Sequence, residues 1–327
     1  MNNRIIPLAI GFVLLAALPY WIPGVYYLNV ASQILFYAVF AIGVNILAGY
    51  AGLVSLGHAA LFGVAAYTTG YMLQIGFGHP AAILTAFGVT ALAAAVYAVV
   101  SLRTSGIGYI MITLAIGQIA WGLAYRWISV TNGDNGVSLH GRPAPFGIAL
   151  SSPTAFYYTT LIVFLISIAA VATFVRSPMG AALKGTRDQA RRMNALGYHV
   201  WAIRFWATMF SGLLTTAAAI LFVYYNQFMS PQTVALTASA EVLLMVIAGG
   251  ASTLFGPAVG AALVVIVKNV VSAYITRWNF LLGAIFVAIV IFMPEGLVPG
   301  SVRLWRLMFS SRSEDKSAQT GVTEPSP

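Results

Sequence analysis

The sequence predicts an all-α fold, a polytopic transmembrane helix bundle, and three observations support this prediction. Of the 327 residues, 60% are hydrophobic and only 7% are charged, with a mean hydropathy of +0.89. A soluble domain carries about 25% charged residues, so this chain has too little polar surface to face water. Its apolar runs are long enough to cross a hydrocarbon core of about 30 Å as helices. They lack the alternation of barrel strands, which leaves helices as the spanning structure.

About ten spans are expected along the chain. We place them near residues 5–23, 29–50, 54–75, 81–101, 107–127, 155–175, 203–224, 239–250, 257–275 and 279–297. They form one membrane domain, 1–305, followed by a polar tail, 306–327, whose composition is typical of disorder. The first run has the outline of a signal peptide, but Tyr20, Trp21 and Pro23 favour a retained span.

The distribution of basic residues predicts the orientation, with the N-terminus and the C-terminus both inside (N-in/C-in). In that topology the cytoplasmic side holds twelve Lys and Arg residues, and the outside holds Arg126, Arg142 and Arg277. Aromatic residues such as Trp21 and Trp127 then lie at outer ends, where their rings favour the headgroup layer. The net charge of +9 is therefore explained by topology and does not indicate nucleic-acid binding.

Two segments outside the spans are longer than a turn, an external loop, 128–154, and a cytoplasmic loop, 176–202. In the cytoplasmic loop, Pro178 suits a first helical turn. The rest of the loop predicts a short helix of about ten residues, 187–196, with its own caps. A helix this short is marginal in water, so it needs a surface to pack on. That surface is either the membrane and the bundle itself or a separate protein.

Four residues predict where this short helix begins and ends. Thr186 and Gln189 have the spacing of a capping box, with Thr186 as the N-cap. Asp188 is placed in the first turn, where the helix dipole favours an anion. Gly197 is placed to stop the helix in a left-handed conformation. Two basic residues, Arg191 and Arg192, project from the same helix.

Polar side chains within the spans are candidates for a translocation pathway, because ionisable groups at membrane depth are expensive. Glu241 is the one acidic residue predicted inside a span. If its role is structural, we expect it to pair with Lys268 or to satisfy a backbone gap at the second break. Asn45, Ser55, His58 and Tyr67 are weaker candidates, since such groups also form hydrogen bonds between helices.

Two glycine-rich segments are expected to interrupt helices in opposite halves of the chain. Irregular backbone at membrane depth occurs where it is buried in protein or lines a cavity, and paired breaks point to transporter sites. The glycines of the predicted breaks are Gly49, Gly52 and Gly57 in the first half, and Gly249, Gly250 and Gly256 in the second. The absence of cysteine excludes disulfides and thiolate metal sites, and we expect no metal, cofactor or catalytic residue.

Several ordered blocks of this sequence resemble the permeases of the LivH/LivM family of branched-chain amino-acid ABC importers. The blocks are Asn45-Ile46-Leu47-Ala48-Gly49-Tyr50-Ala51-Gly52, Ser55-Leu56-Gly57-His58-Ala59-Ala60, Glu241-Val242-Leu243-Leu244-Met245 with Gly249-Gly250, and Phe292-Met293-Pro294-Glu295-Gly296-Leu297. The segment around Ala195-Leu196-Gly197-Tyr198 resembles the cytoplasmic EAA-type loop of such permeases. Thr131 with Gly133-Asp134-Asn135-Gly136 points to the LivM type. Ser252 departs from the pattern, since glycine is usual there.

The resemblance implies a non-enzymatic permease subunit for Leu, Ile or Val in the bacterial cytoplasmic (inner) membrane. The implied partners are a homologous LivH-type permease, two ATP-binding cassette ATPases, an extracytoplasmic substrate-binding protein and the lipid bilayer. The sequence has no G-x-x-x-x-G-K-[ST] motif, so separate subunits are expected to bind ATP. The short cytoplasmic helix then becomes a coupling helix that contacts an ATPase through Thr186, Asp188, Gln189, Arg191, Arg192 and Gly197.

Three alternatives stay open at this stage. A permease of the same family for urea or short amides is the nearest alternative, because no residue identifies the substrate side chain. An ion-coupled secondary transporter would favour several buried acids, whereas only Glu241 is available. An intramembrane enzyme would need a cluster of catalytic groups at one depth, and no such cluster is evident.

Overall fold

The computed structural model describes residues 15–21, 24–139, 152–271, 274, 278–293 and 295–301. The polar tail, 306–327, and the part of the external loop at 140–151 lie outside the described residues. The main helices are α1 (Val25–Asn45), α2 (His58–Gln74), α3 (His79–Ser101), α4 (Ile107–Arg126), α5 (Pro153–Arg176), α6 (Pro178–Ala195), α7 (Val200–Asn226), α8 (Leu236–Gly249), α9 (Gly256–Ile266) and α10 (Trp278–Phe292). Two π-helical segments, Ile46–Ala51 and Val267–Val271, extend α1 and α9.

The prediction of an all-α, multi-span protein is confirmed. Among the described residues, five helices are long and apolar enough to cross a membrane: Val25–Ala51, His79–Ser101, Ile107–Arg126, Pro153–Arg176 and Val200–Asn226. Three shorter helices, α2, α8 and α9, are the ones that border the predicted breaks. The total of about ten spans and the N-in/C-in orientation stay predictions.

Helix α1 lies at the centre of the bundle and packs against α5, α7, α8 and α9. Its residues Val39, Ala41 and Val44 are fully buried, as a helix that is apolar on all sides requires. Helix α2 packs on α3 and α7. The centre of the bundle is therefore built from the two helices on either side of the first break, α1 before it and α2 after it.

The outer faces of α3, α4 and α5 are apolar and open. Leu92 is 69% exposed, Met111 is 67% exposed and Ile166 is 63% exposed. Large contiguous apolar faces of this kind are unusual on proteins in water. On a chain of this composition they are the faces that contact lipid.

The chain between α7 and α8 does not form an external loop clear of the helices; it lies along α2. A Cβ added to Gly63 would overlap Val234, and one added to Gly70 would overlap Met229. Further along, the backbone N–H of Ala59 donates to Ser239 Oγ at 3.0 Å. Small residues on α2 therefore permit this close approach.

A two-stranded sheet ties the same segment to the external loop. Strand β1 (Val137–Ser138) pairs antiparallel with β2 (Phe228–Met229), with Val137 opposite Met229. The span that we placed at 239–250 begins earlier, at Leu236, where the extended residue Ala235 separates it from a short 3-10 helix, Pro231–Val234.

Candidate functional site

The two predicted breaks contact each other at one end of the bundle. After the π-helical segment Ile46–Ala51, the chain leaves the helix at Gly52, whose φ is 68°. Helix α8 ends at Gly249, and the next residue, Gly250, has a φ of 116°. Both positive φ values lie in the region that glycine adopts without strain. The remaining predicted glycines, Gly57 and Gly256, lie at the starts of α2 and α9.

Asn45 joins the end of α1 to the turn between α8 and α9. Its Nδ2 donates to the Thr253 carbonyl at 2.8 Å, and its Oδ1 accepts from the Ser252 backbone N–H at 3.0 Å. Asn45 is only 1% exposed. The amide therefore satisfies one donor and one acceptor that the interrupted helix leaves unpaired.

Arg187 of α6 contacts both breaks at once. Its Nη1 donates to the Gly49 carbonyl at 2.6 Å and also to Ser252 Oγ. The Ser252 hydroxyl in turn donates to the Gly49 carbonyl at 2.8 Å. We call the group formed by Asn45, Gly49, Arg187, Ser252 and Thr253 the helix junction.

Glycine is required where the junction is tightest. A Cβ on Gly49 would overlap Asn45 Oδ1 and the Ser252 nitrogen, and one on Gly52 would lie 2.9 Å from Arg187 Cγ. Ser252 itself has a φ of 66°, which is unusual for a residue with a side chain. The two hydrogen bonds of its side chain, with Arg187 and with the Gly49 carbonyl, offset that strain, and glycine could not make them.

Helix α6 begins earlier than the sequence indicated. Ser177 is its N-cap and accepts from the Gly180 backbone N–H at 3.2 Å, with Pro178 in the first turn as predicted. The prediction that Thr186 is an N-cap is wrong, because its Oγ1 donates back to the Leu183 carbonyl at 2.8 Å. The Ser-Pro start accounts for this, since it nucleates a helix that continues through Thr186.

The separate helix predicted at 187–196 is corrected at its start: the helix from Pro178 runs through Asp188, and a second helical segment follows a kink at Gln189 and ends at Ala195. Gln189 has φ −152° and ψ 91°, far from helical values, and does not close a capping box. Asp188 precedes the kink and is not in a first turn. A Cβ on Gly185 would lie 2.7 Å from Met193 Sδ, so the last turns fold back over the earlier ones.

Helix α6 is stopped by Gly197, as the sequence predicted. Gly197 has a φ of 86°. Its N–H bonds to the Asn194 carbonyl at 3.0 Å, and the Tyr198 N–H bonds to the Met193 carbonyl at 3.1 Å. This pair of bonds is the Schellman motif, so the prediction of a glycine stop is confirmed.

One face of α6 is fixed to the bundle and the other is open. Arg204 Nη2 donates to the Thr186 carbonyl at 2.9 Å, and Leu183 is fully buried. On the open face, Asp188, Gln189, Arg191 and Arg192 are exposed. Of the predicted coupling residues, Asp188, Gln189, Arg191, Arg192 and Gly197 are therefore accessible, but Thr186 is only 1% exposed and faces the bundle. Arg187, which sequence reasoning did not single out, points into the junction.

Ser55 and His58 belong to a closed hydrogen-bond network. His58 is 0% exposed; its Nδ1 lies 2.8 Å from Ser55 Oγ and its Nε2 lies 3.0 Å from Ser211 Oγ. Ser55 Oγ also lies 2.5 Å from the Tyr97 hydroxyl. Since Ser211 donates to the Gly43 carbonyl at 2.7 Å, its oxygen accepts the Nε2 proton. His58 thus joins the start of α2 to the preceding loop through Nδ1 and to α7 through Nε2.

Glu241 lies elsewhere, beside a large cavity. It forms an ion pair with Lys268 at 3.2 Å, with the Glu241 side chain 25% exposed and the Lys268 side chain 40% exposed. Both residues line a cavity of about 1010 Å³. Asn45, Ser55, His58 and Tyr67 are not among its lining residues. Of the predicted pathway residues, the structure brings only Glu241 to this cavity.

The cavity and the helix junction lie at opposite ends of the bundle. The junction adjoins α6, which precedes the start of α7, whereas the cavity is lined by Asn226 and Phe228, at the far end of α7.

Tyr67 is 7% exposed, and its hydroxyl has no hydrogen-bond partner among the described residues.

Comparison with known proteins places this architecture in a family. Residues 26–290 match the family model described as "Branched-chain amino acid transport system / permease component". The chain is 25% identical over 295 residues to the high-affinity branched-chain amino acid transport system permease protein LivM of Salmonella typhimurium (strain LT2). It is 24% identical over 295 residues to the Escherichia coli (strain K12) protein of the same name. Each alignment covers 83% of this chain and 69% of the relative.

No solved structure matches the chain. The family match covers most of the chain, including both breaks, the helix junction and the cavity. The chain therefore belongs to the family of permease components of branched-chain amino acid transport systems, and it is a multi-pass protein of the bacterial inner membrane.

Proposed function

We propose that this chain forms one half of the translocation pathway of an ATP-driven importer for leucine, isoleucine and valine. A homologous LivH-type permease supplies the other half. Two separate ATP-binding cassette ATPases drive the cycle, and an extracytoplasmic binding protein delivers the substrate. The chain itself changes no covalent bond. Family membership supports the transport role, and the names of the LivM relatives support the substrate class.

The helix junction is the observation that carries the mechanism. Arg187 lies on α6 and bonds Gly49 of the first break and Ser252 of the second. A displacement of α6 therefore acts on both interrupted segments together. Interrupted helices can change direction without breaking a continuous hydrogen-bond ladder, so the breaks are the parts of the bundle suited to alternating access.

We assign α6 to the cytoplasmic side and its open face to ATPase docking. The excess of basic residues on that side supports the orientation. Beyond the exposed polar residues, Leu196 is 64% exposed and Tyr198 is 50% exposed. An apolar tip flanked by Arg191 and Arg192 suits a groove with acidic edges. The membrane domain 1–305 then ends in a cytoplasmic tail, 306–327.

In this proposal the polar network at Ser55 and His58 and the glycines at both breaks hold the bundle in defined states. Asn45 holds the end of α1 against the turn between α8 and α9 through its two hydrogen bonds. Glu241 and Tyr67 are the residues assigned to the pathway itself, Glu241 at the cavity and Tyr67 through its buried hydroxyl.

The test is reconstitution of the complete importer in proteoliposomes with its binding protein. We expect ATP-dependent uptake of radiolabelled leucine that unlabelled isoleucine and valine compete for. Urea and acetamide are expected not to compete. Uptake of urea or acetamide without leucine uptake would assign the chain to the amide-transporting alternative. Leucine uptake driven by an ion gradient without ATP would overturn the ABC assignment.

A further inference from the structure

The cavity at the end opposite α6 combines an apolar wall with one charged pair. The apolar wall is aromatic: the Phe40 and Phe62 rings stack with centroids 4.7 Å apart, and Phe222 contacts Phe62 edge-on with centroids 5.2 Å apart. The charged pair, Glu241 and Lys268, lines the same cavity. One space thus presents a negative group, a positive group and an apolar surface.

The charges are held in place by neighbouring polar contacts. Asn269, next to Lys268, donates through Nδ2 to Gln33 Oε1 at 2.9 Å and to the Val265 carbonyl at 2.9 Å. Gln33 Nε2 donates to the Tyr225 hydroxyl at 3.0 Å. These bonds tie the π-helical segment that carries Lys268 to α1, so the lysine is positioned opposite Glu241 on α8.

The geometry points to a binding site for the zwitterionic head and apolar side chain of an α-amino acid, with Glu241 receiving the ammonium and Lys268 the carboxylate. An ion pair inside a bundle offers no net charge to a simple ion, but it matches both charges of a zwitterion. The two side chains are only partly exposed, so a ligand charge bound beside them is partly removed from water and is stabilised by an opposite partner.

The size of the cavity fits this ligand with room for movement. Its volume of about 1010 Å³ lies at the upper end of the range for small-molecule pockets, roughly 300–1,000 Å³. The aromatic wall accepts a branched aliphatic side chain without a directional contact, so leucine, isoleucine and valine are all accommodated. The charged pair, by contrast, rejects molecules that lack one of the two head groups. This inference rests on the proposed function and deepens it, because it assigns substrate recognition within the permease itself.

The test measures binding of radiolabelled leucine to the purified complex of both permeases and both ATPases, without the binding protein. Two competitors each lack one head group: 4-methylpentanoate has no ammonium, and leucinol has no carboxylate. We expect each to compete at least about tenfold more weakly than leucine, because each loses a contact with a charged partner.

Two variants then separate recognition from structure. Glu241→Gln should weaken leucine binding by about tenfold or more while leaving competition by 4-methylpentanoate unchanged. Lys268→Met should weaken leucine binding similarly while leaving competition by leucinol unchanged. Asp134→Asn, which removes an exposed carboxylate of the external loop outside the cavity, is the control and should bind leucine as the wild type does.

Equal losses for all three ligands in both variants would overturn the inference, because a merely structural ion pair predicts them. Absence of leucine binding in the wild-type complex would overturn it as well. In either case, ATP hydrolysis stimulated by the leucine-loaded binding protein would show that the proposed function stands. Loss of that stimulation and of uptake in the wild type would instead reject the proposed function.

Discussion

Replacing Arg187 with methionine tests whether α6 moves together with the two breaks. The variant keeps an unbranched side chain that favours helix but removes both hydrogen bonds made by Nη1. A hydrogen bond from a charged donor contributes about 1.5–3 kcal/mol net. Because Arg187 is an exposed residue, solvent screening lowers this to about 1–2 kcal/mol for the contact as a whole.

A free-energy difference of this size changes an equilibrium by a factor of about 5–30. We therefore expect the number of leucine molecules imported per ATP hydrolysed to fall by about that factor in Arg187→Met. The ATPases should still copurify, because Arg187 faces the bundle and the open face of α6 is unchanged. Uptake and hydrolysis are measured in the same proteoliposomes, with Arg187→Lys as a variant that retains the charge and should lose less.

Two results for Arg187→Met would contradict this role of the helix junction. If Arg187→Met imports leucine with the wild-type ratio to ATP, the junction does not transmit motion from α6. If the ATPases fail to copurify with Arg187→Met, the residue acts in docking, and the division of α6 into a bundle face and an open face is wrong.

Three further outcomes are expected from other parts of the structure. The chain has no cysteine, so Asn135→Cys should react with an impermeant maleimide in intact cells and Gln189→Cys only after permeabilisation; the reverse pattern would invert the topology. Arg191→Glu, on the open face of α6, should reduce the amount of ATPase that copurifies without lowering the thermal stability of the permease pair, and unchanged copurification would favour a lipid-surface role. Gly57→Ala should destabilise the bundle by about 1–3 kcal/mol, since its Cβ would overlap the Thr113 carbonyl, whereas Gly122→Ala, with open space around it, should be neutral or slightly stabilising in thermal unfolding.

The features that the sequence predicted well are those that depend on local composition and spacing. Long apolar runs specify helices in lipid, and the glycine at 197 specifies the end of α6 through backbone freedom that other residues lack. The pairing of Glu241 with Lys268 was one of the two structural roles expected of Glu241, because few charged residues were available within the spans.

The start of α6 was predicted wrongly because the sequence contains two signals for a helix start. Thr186 and Gln189 have the spacing of a capping box, but Ser177 caps a helix that starts nine residues earlier and runs through Thr186. The interruption comes only at Gln189, too late for Thr186 to be an N-cap. The kink at Gln189 is accompanied by packing of Met193 over Gly185, a contact that no local sequence pattern predicts.

By itself, the sequence determined the class of the protein, its family and the positions of both helix breaks, because these depend on composition, ordered motifs and glycine. Only the tertiary structure decided what the breaks contact. Asn45 and Thr253 are 208 positions apart, and Arg187 lies 138 positions from Gly49. Hydrogen bonds over such separations depend on how the helices pack. Packing is a property of the whole bundle, so it was the fold that made Arg187 the link between α6 and both interrupted segments.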